Sequence, residues 1–281
     1  MVEYGDWCQI MNIQRLLQFF MVCTLALGLA SCATPQNTAG TSATVVNDPF
    51  EDVNRVIFDV NLALDKVIVR PFASLYGELP GGIKDSIRNF LRNLKTPVIL
   101  ANNLLQGDIQ GASDTVGRFL TNTIIGLGGL FDVANGNGKG IAYRPEDFGQ
   151  TLGVWGTSEG PYLMLPILGP SNLRDTVGMV PDYFMDPITW WGINSDKDLP
   201  TVIAIGRRVL ETVDTRSRNM KQLEDLEATS LDFYATIRSL YHQQRENMIR
   251  NGDEAEGAPI PSVNFEIDED DDGKAKAALV Q

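Results

Sequence analysis

The sequence predicts an all-α domain, preceded by an export signal and followed by an acidic tail. Three observations carry that prediction. Apolar residues recur at helical spacing through most of residues 47–252. No segment combines strict alternation with flanking hairpin turns. The helical pattern is interrupted by a Gly/Pro/Trp-rich stretch, Asp147–Trp191, where Pro161, Pro166 and Pro170 forbid a continuous helix.

The N-terminal element reads MNIQRLLQFFMVCTLALGLASC. Arg15 supplies a basic start, Leu16–Leu29 is mostly apolar, and small residues precede Cys32. An export signal needs a positive start, an apolar core of about 7–15 residues and a small-residue cleavage site. The run is shorter than the ~20 residues of a spanning helix. A cleavage site at Gly28-Leu29-Ala30 would leave Cys32 unexplained. Leu29-Ala30-Ser31-Cys32 is similar to a bacterial lipoprotein signal, in which the cysteine becomes the first residue and carries acyl chains. Residues 1–31 are therefore expected to be removed and Cys32 to be lipidated. Glu3 and Asp6 do not suit a signal start, so translation is expected from Met11. Ala33 after the cysteine resembles the sorting rule that sends lipoproteins to the outer membrane.

Removing residues 1–31 from 281 leaves 250, enough for one large domain or two small ones. Cys8 and Cys23 precede Cys32, so the mature chain has no disulfide, no thiol nucleophile and no cysteine cluster for zinc. The net charge is −13, and Asp253–Asp272 alone carries nine acidic residues. No basic patch suits a nucleic acid, whose phosphates would repel an acidic protein. Residues 32–46 are small and polar beyond Cys32 and are expected to form a flexible tether. Residues 253–281 form an acidic tail, expected to be disordered.

Asp48-Pro49 is a favourable cap and first-turn pair for the opening helix. Phe50, Val53, Ile57, Val60, Leu64 and Val67 follow at helical spacing, and Val56, Phe58, Leu62 and Ala63 widen the apolar surface. Such a helix is central in a core or partly exposed to lipid. Asn54 and Asn61 lie on one side and are expected to bond a neighbouring backbone. Ile83, Ile87, Phe90, Leu91 and Leu94 mark a second helix. Its stripe Lys84, Arg88, Arg92 and Lys95 is either a solvated face or a face against anionic headgroups. Pro97 is expected to open a third helix that Gly107 ends. Asp108–Gly126 reads as a fourth, with small residues that permit close approach. Gly126, Gly128 and Gly129 then break regular structure.

Leu152–Pro170 carries one charge, Glu159, among apolar and aromatic residues. It suits either a membrane interface, where Trp and Tyr rings prefer to sit, or a buried core loop. Two more helices follow. Val202, Ile205, Val209 and Val213 mark the first, and Leu223 to Met248 the second, both with charged outer faces.

Nothing points to catalysis. His242 lies among Gln243, Gln244 and Arg245 and is expected to be solvated or to cap. GNGKG at 136–140 lacks the spacing of a phosphate loop, and the acidic run Asp268–Asp272 lacks that of a calcium loop. No cofactor or metal ligand set is read.

Several stretches together resemble the MlaA (VacJ) family of outer-membrane lipoproteins. They are NDPFEDVNRVIFDVN, VRPFASLY, NFLRNLKTP, NNLLQGD, RFLTNTIIGLGGLFDVA and EDFGQTLGVWGTSEGPYLMLPILGPSNLRD, in the family's order between Asn47 and Asp175. The resemblance implies a ring-like helical body in the periplasmic leaflet of the outer membrane. It implies an amphipathic channel, association with a trimeric porin, and removal of phospholipid from the outer leaflet. The lipid would pass to a soluble, MlaC-like periplasmic carrier, with no chemistry done on it. On that footing the channel wall is placed at Ile124, Gly126, Leu127, Gly128, Gly129, Phe131, Leu163, Leu165 and Leu168. The membrane interface is placed at Trp155, Tyr162, Trp190 and Trp191. Arg118, Arg144 and Arg174 are read as structural ion pairs or headgroup contacts. A porin-supporting lipoprotein that moves no lipid, or a lipid hydrolase on the same anchor, shares most of these features.

Overall fold

The computed structural model describes residues 46–193 and 199–251. The signal segment, Cys32, the tether up to residue 45 and the acidic tail lie outside the described residues.

The chain is mostly helical, as the spacing predicts. Helix α1 (Glu51–Leu64) runs through a π-helical turn (Asp65–Val69) into α2 (Arg70–Gly77). Helices α3 (Gly81–Gln106) and α4 (Ile109–Ile124) form the next pair, followed by a 3-10 turn at Val133–Gly138 and the short α5 (Phe148–Val154). Strands β1 (Tyr162–Leu165) and β2 (Gly169–Asn172) make an antiparallel hairpin, with Tyr162 opposite Asn172 and Leu165 opposite Gly169. Helices α6 (Leu173–Met185), α7 (Pro187–Ile193), α8 (Leu199–Arg218), α9 (Met220–Thr229) and α10 (Phe233–Ile249) complete the fold. Helix α3 packs on α4, α5 on α6, and α8 on both α2 and α7; α10 lies against α5 and β2.

Local chemistry explains most boundaries. Gly107 adopts φ 78° and closes α3, as expected. Asp108, Asp147, Asn172 and Asp232 cap α4, α5, α6 and α10 by accepting from backbone N–H groups. Asp48 does not cap α1, which begins at Glu51. Its carboxylate instead accepts from Asn54, Tyr234 and Arg238, tying the domain start to α10. Pro97 does not open a helix. It sits inside the continuous α3, which loses the one N–H that proline lacks. The expected final helix is two, divided at Ser230-Leu231 before the Asp232 cap.

Helices α5 and α6 touch backbone to backbone. A Cβ built on Gly178 would lie 2.5 Å from the Gly149 nitrogen, and one on Gly149 would lie 2.5 Å from the Asp175 carboxylate. The apolar core is small: Tyr162, Met164 and Tyr234, flanked by Val46, Ile57, Phe58 and Tyr241. Its rings meet edge to face, Tyr162–Tyr234 at 6.1 Å and Phe58–Tyr234 at 5.6 Å.

Candidate lipid-facing surface and its polar frame

Burial in this chain runs against the usual order. Among the described residues, buried polar and charged side chains outnumber buried apolar ones. Large apolar side chains are exposed on helices α1 to α8. Helix α1 with its π turn shows Val53, Val56, Val60 and Val67 to the outside while Asn54 is buried. Helix α8 does the same with Val202, Ile205 and Val209, while Arg207 is buried and bonded to Asp186. Soluble proteins rarely expose contiguous apolar area on this scale, and where they do it marks a lipid or partner surface.

The buried polar groups form a frame. Arg245 of α10 places its guanidinium between Asp147 of α5 (2.6 Å) and Asp175 of α6 (2.7 Å). Tyr241 donates to Asp175, and so does Asn172 at 3.0 Å. Asp182 accepts from the Phe148 N–H and from Asn102 at 2.9 Å, and Thr151 donates to Asn102 at 2.8 Å. Four elements are thereby joined by charge-assisted bonds in place of apolar packing. Burial pushes Glu146 up to about 7, against the hydrogen bond from Gln106. Burial also raises Asp182. A buried pair of this kind is costly to break from one side, because the remaining charge is left uncompensated.

Two apolar tips project from this frame. The first is the hairpin turn Pro166-Ile167-Leu168. Ile167 is 82% exposed and stands at φ 67°, a conformation that a β-branched residue adopts only under strain. Asn61 of α1 holds it there. Its amide donates to the Leu165 carbonyl at 2.9 Å and accepts from the Ile167 N–H at 2.8 Å. One turn pair earlier, Asn54 donates to the Tyr162 carbonyl at 3.0 Å and accepts from the Met164 N–H at 2.9 Å. The two asparagines thus take up backbone groups of β1, as the seam in α1 predicted. The second tip is the turn after α4. Leu127 is 66% exposed at φ 53°, with Ile124, Ile125 and Phe131 exposed beside it. Asn93 of α3 holds this turn, donating to Thr123 at 3.0 Å and to the Gly128 carbonyl at 3.3 Å. Gly129 lies against Asn93, where a Cβ would come within 2.5 Å.

The profile of the MlaA lipoprotein family matches residues 46–248. This chain belongs to the MlaA lipoprotein family. The Escherichia coli (strain K12) member, intermembrane phospholipid transport system lipoprotein MlaA, is 35% identical over 260 residues, covering 92% of this chain and 96% of its own. The Haemophilus influenzae protein of the same description is 30% identical over 230 residues, covering 81% and 88%. A solved chain, from work on the structural basis for maintenance of bacterial outer membrane lipid asymmetry, superposes with a TM-score of 0.62 at 33% identity. It covers 72% of this chain and 98% of its own length.

The residues singled out from the sequence fall into three groups. Ile124, Leu127, Phe131 and Leu168 are exposed on the two tips, with Gly126, Gly128 and Gly129 forming the second turn. Leu163 and Leu165 are half-buried on the face of β1 opposite Tyr162 and Met164. Trp155, Trp190 and Trp191 are more than half exposed. Tyr162 is not at an interface: it is 2% exposed and central to the aromatic core, because strand alternation turns it inward with Met164. Arg118 donates from Nη2 to both carboxylate oxygens of Asp132 at 2.8 Å and Arg174 is paired with Asp175, both arginines buried, whereas Arg144 is exposed. His242 is not solvated. It is half-buried and bonded to Glu159. Nothing in the sequence singles out Asn93, since an asparagine amid a basic helix face carries no periodic signal.

Proposed function

We propose that this chain is an outer-membrane lipoprotein, anchored through Cys32, that removes mislocalised phospholipid from the outer leaflet and so maintains lipid asymmetry. The single observation that carries the reading is the inverted burial: apolar residues outside, charges and amides inside. A body of this kind is stable with acyl chains around it and offers polar groups within for a headgroup. The names of the Escherichia coli and Haemophilus influenzae relatives support the same class of cargo. The apolar tips at Leu127 and Ile167-Leu168 are the proposed contacts for lipid tails, and Trp155, Trp190 and Trp191 the proposed interface anchors. A trimeric porin would hold the protein in the leaflet and a soluble periplasmic carrier would receive the lipid. No step requires a change in the lipid's covalent structure.

The test is outer-leaflet phospholipid in cells that lack the protein, complemented with wild type or with Cys32→Ala. Surface phospholipid is expected to rise on loss, to fall with wild type, and to stay high with the unanchored variant. Unchanged surface phospholipid on loss would overturn the proposal and favour a porin-supporting role.

A further inference from the structure

His242, the chain's single histidine, stands on α10 with Nδ1 2.8 Å from Glu159 Oε2. Both side chains are largely shielded from solvent. Glu159 belongs to the loop that leads from α5 into β1. That loop turns at Gly156 and Gly160, with φ 86° and 70°. Its backbone is tied to the start of α6: the Arg174 N–H donates to the Glu159 carbonyl and the Leu173 N–H to the Pro161 carbonyl, both at 3.1 Å. The contact between imidazole and carboxylate therefore reaches the root of the hairpin whose tip carries Ile167.

We infer that the His242–Glu159 pair is a proton-dependent latch, holding the root of the hairpin against α10 and regulating how freely its lipid-facing tip moves. This rests on the reading of that tip as lipid-facing. The surrounding charges are specific. Glu159 from the loop and Glu246, one turn along α10, favour the imidazolium, and Arg174 of α6 opposes it. Arg238 and Arg245 on α10 are already held, by Asp48 with Glu51 and by Asp147 with Asp175. The hydrogen bond to Glu159 raises the imidazole above its ordinary 6.5, with burial opposing. A raised base contributes fully below pH 6.5 and loses its contribution as pH climbs through the folded-state value. Neutral imidazole can still donate from Nδ1, so the latch weakens with rising pH without vanishing.

The experiment is hydrogen exchange, read by mass spectrometry, on the full chain in phospholipid nanodiscs from pH 5.5 to 8.5 and corrected for intrinsic exchange. Peptides covering 156–161 and 173–174 report the latch. In wild type their protection is expected to fall by about three- to tenfold across the range, the span of a modest charge-assisted bond. Glu159→Gln keeps a bond but no charge, and its protection is expected to fall with pH clearly less than in wild type, keeping only the slope that Glu146 contributes; His242→Gln is a second variant with the same expectation. Flat protection in wild type overturns the latch. The same slope in wild type and variants also overturns it and transfers the effect to Glu146. The readout requires no lipid movement, so failure of the latch and failure of the transport proposal are separable.

Discussion

Burial governs Glu146 more than any neighbour does. Gln106 donates to it at 2.8 Å and lowers its proton affinity, yet loss of solvent raises it from the ordinary 4.5 to about 7. Between those values the folded chain binds more protons than the unfolded chain, so this group makes stability fall as pH rises. Above pH 7 the full cost is on the order of 1–3 kcal/mol. Glu146→Gln keeps the Gln106 contact and removes the charge. Its melting temperature is expected to exceed wild type at pH 8 and to match it at pH 5. An equal shift at both values would show that the carboxylate is not the source. The exposed pair Lys66–Glu227 has no comparable leverage, since solvent-exposed pairs contribute only about 0–1 kcal/mol.

The hairpin was the element least legible in the sequence, for a physical reason. Each strand has four residues, too short to display alternation. The groups of β1 that β2 leaves unpaired are met by Asn54 and Asn61, side chains about a hundred residues away. Helices α1, α4 and the start of α3 were legible because one stripe per turn suffices to mark them. The continuity of α3 through Pro97 was not, because neighbouring packing on α4 overrides a single lost hydrogen bond. The hairpin's dependence on α1 is testable. Asn61→Leu removes both bonds to the turn and leaves Ile167 strained, so a loss of about 1–3 kcal/mol is expected in denaturant unfolding. Pairing it with Ile167→Gly, which accepts positive φ without strain, is expected to recover about 1 kcal/mol. No recovery in the double variant would mean that Asn61 does not hold the turn against backbone strain.

At the scale of the whole molecule, periodicity marks an apolar stripe but does not say which side of it meets protein. Helix α8 shows the difficulty: its charges suggested a solvated outer face, yet Arg207 points in to Asp186 and Val202, Ile205 and Val209 point out. The same inversion recurs on α1 and at both tips, and the proposed function predicts that the folded body binds lipid in addition to any acyl anchor. No helix among the described residues is long and apolar enough to cross a membrane. The consequence is measurable by flotation. The Cys32→Ala chain, purified in detergent and exchanged onto phospholipid vesicles, is expected to float with them. Adding Val202→Glu and Ile205→Glu places two charges on the exposed face of α8, away from the buried frame. It is expected to cut the floating fraction several-fold while leaving the helical circular dichroism signal unchanged. Equal flotation of both proteins would remove α8 from the lipid-facing surface and leave it available to a protein partner. Loss of helical signal in the double variant would show that the valine and isoleucine support the fold after all.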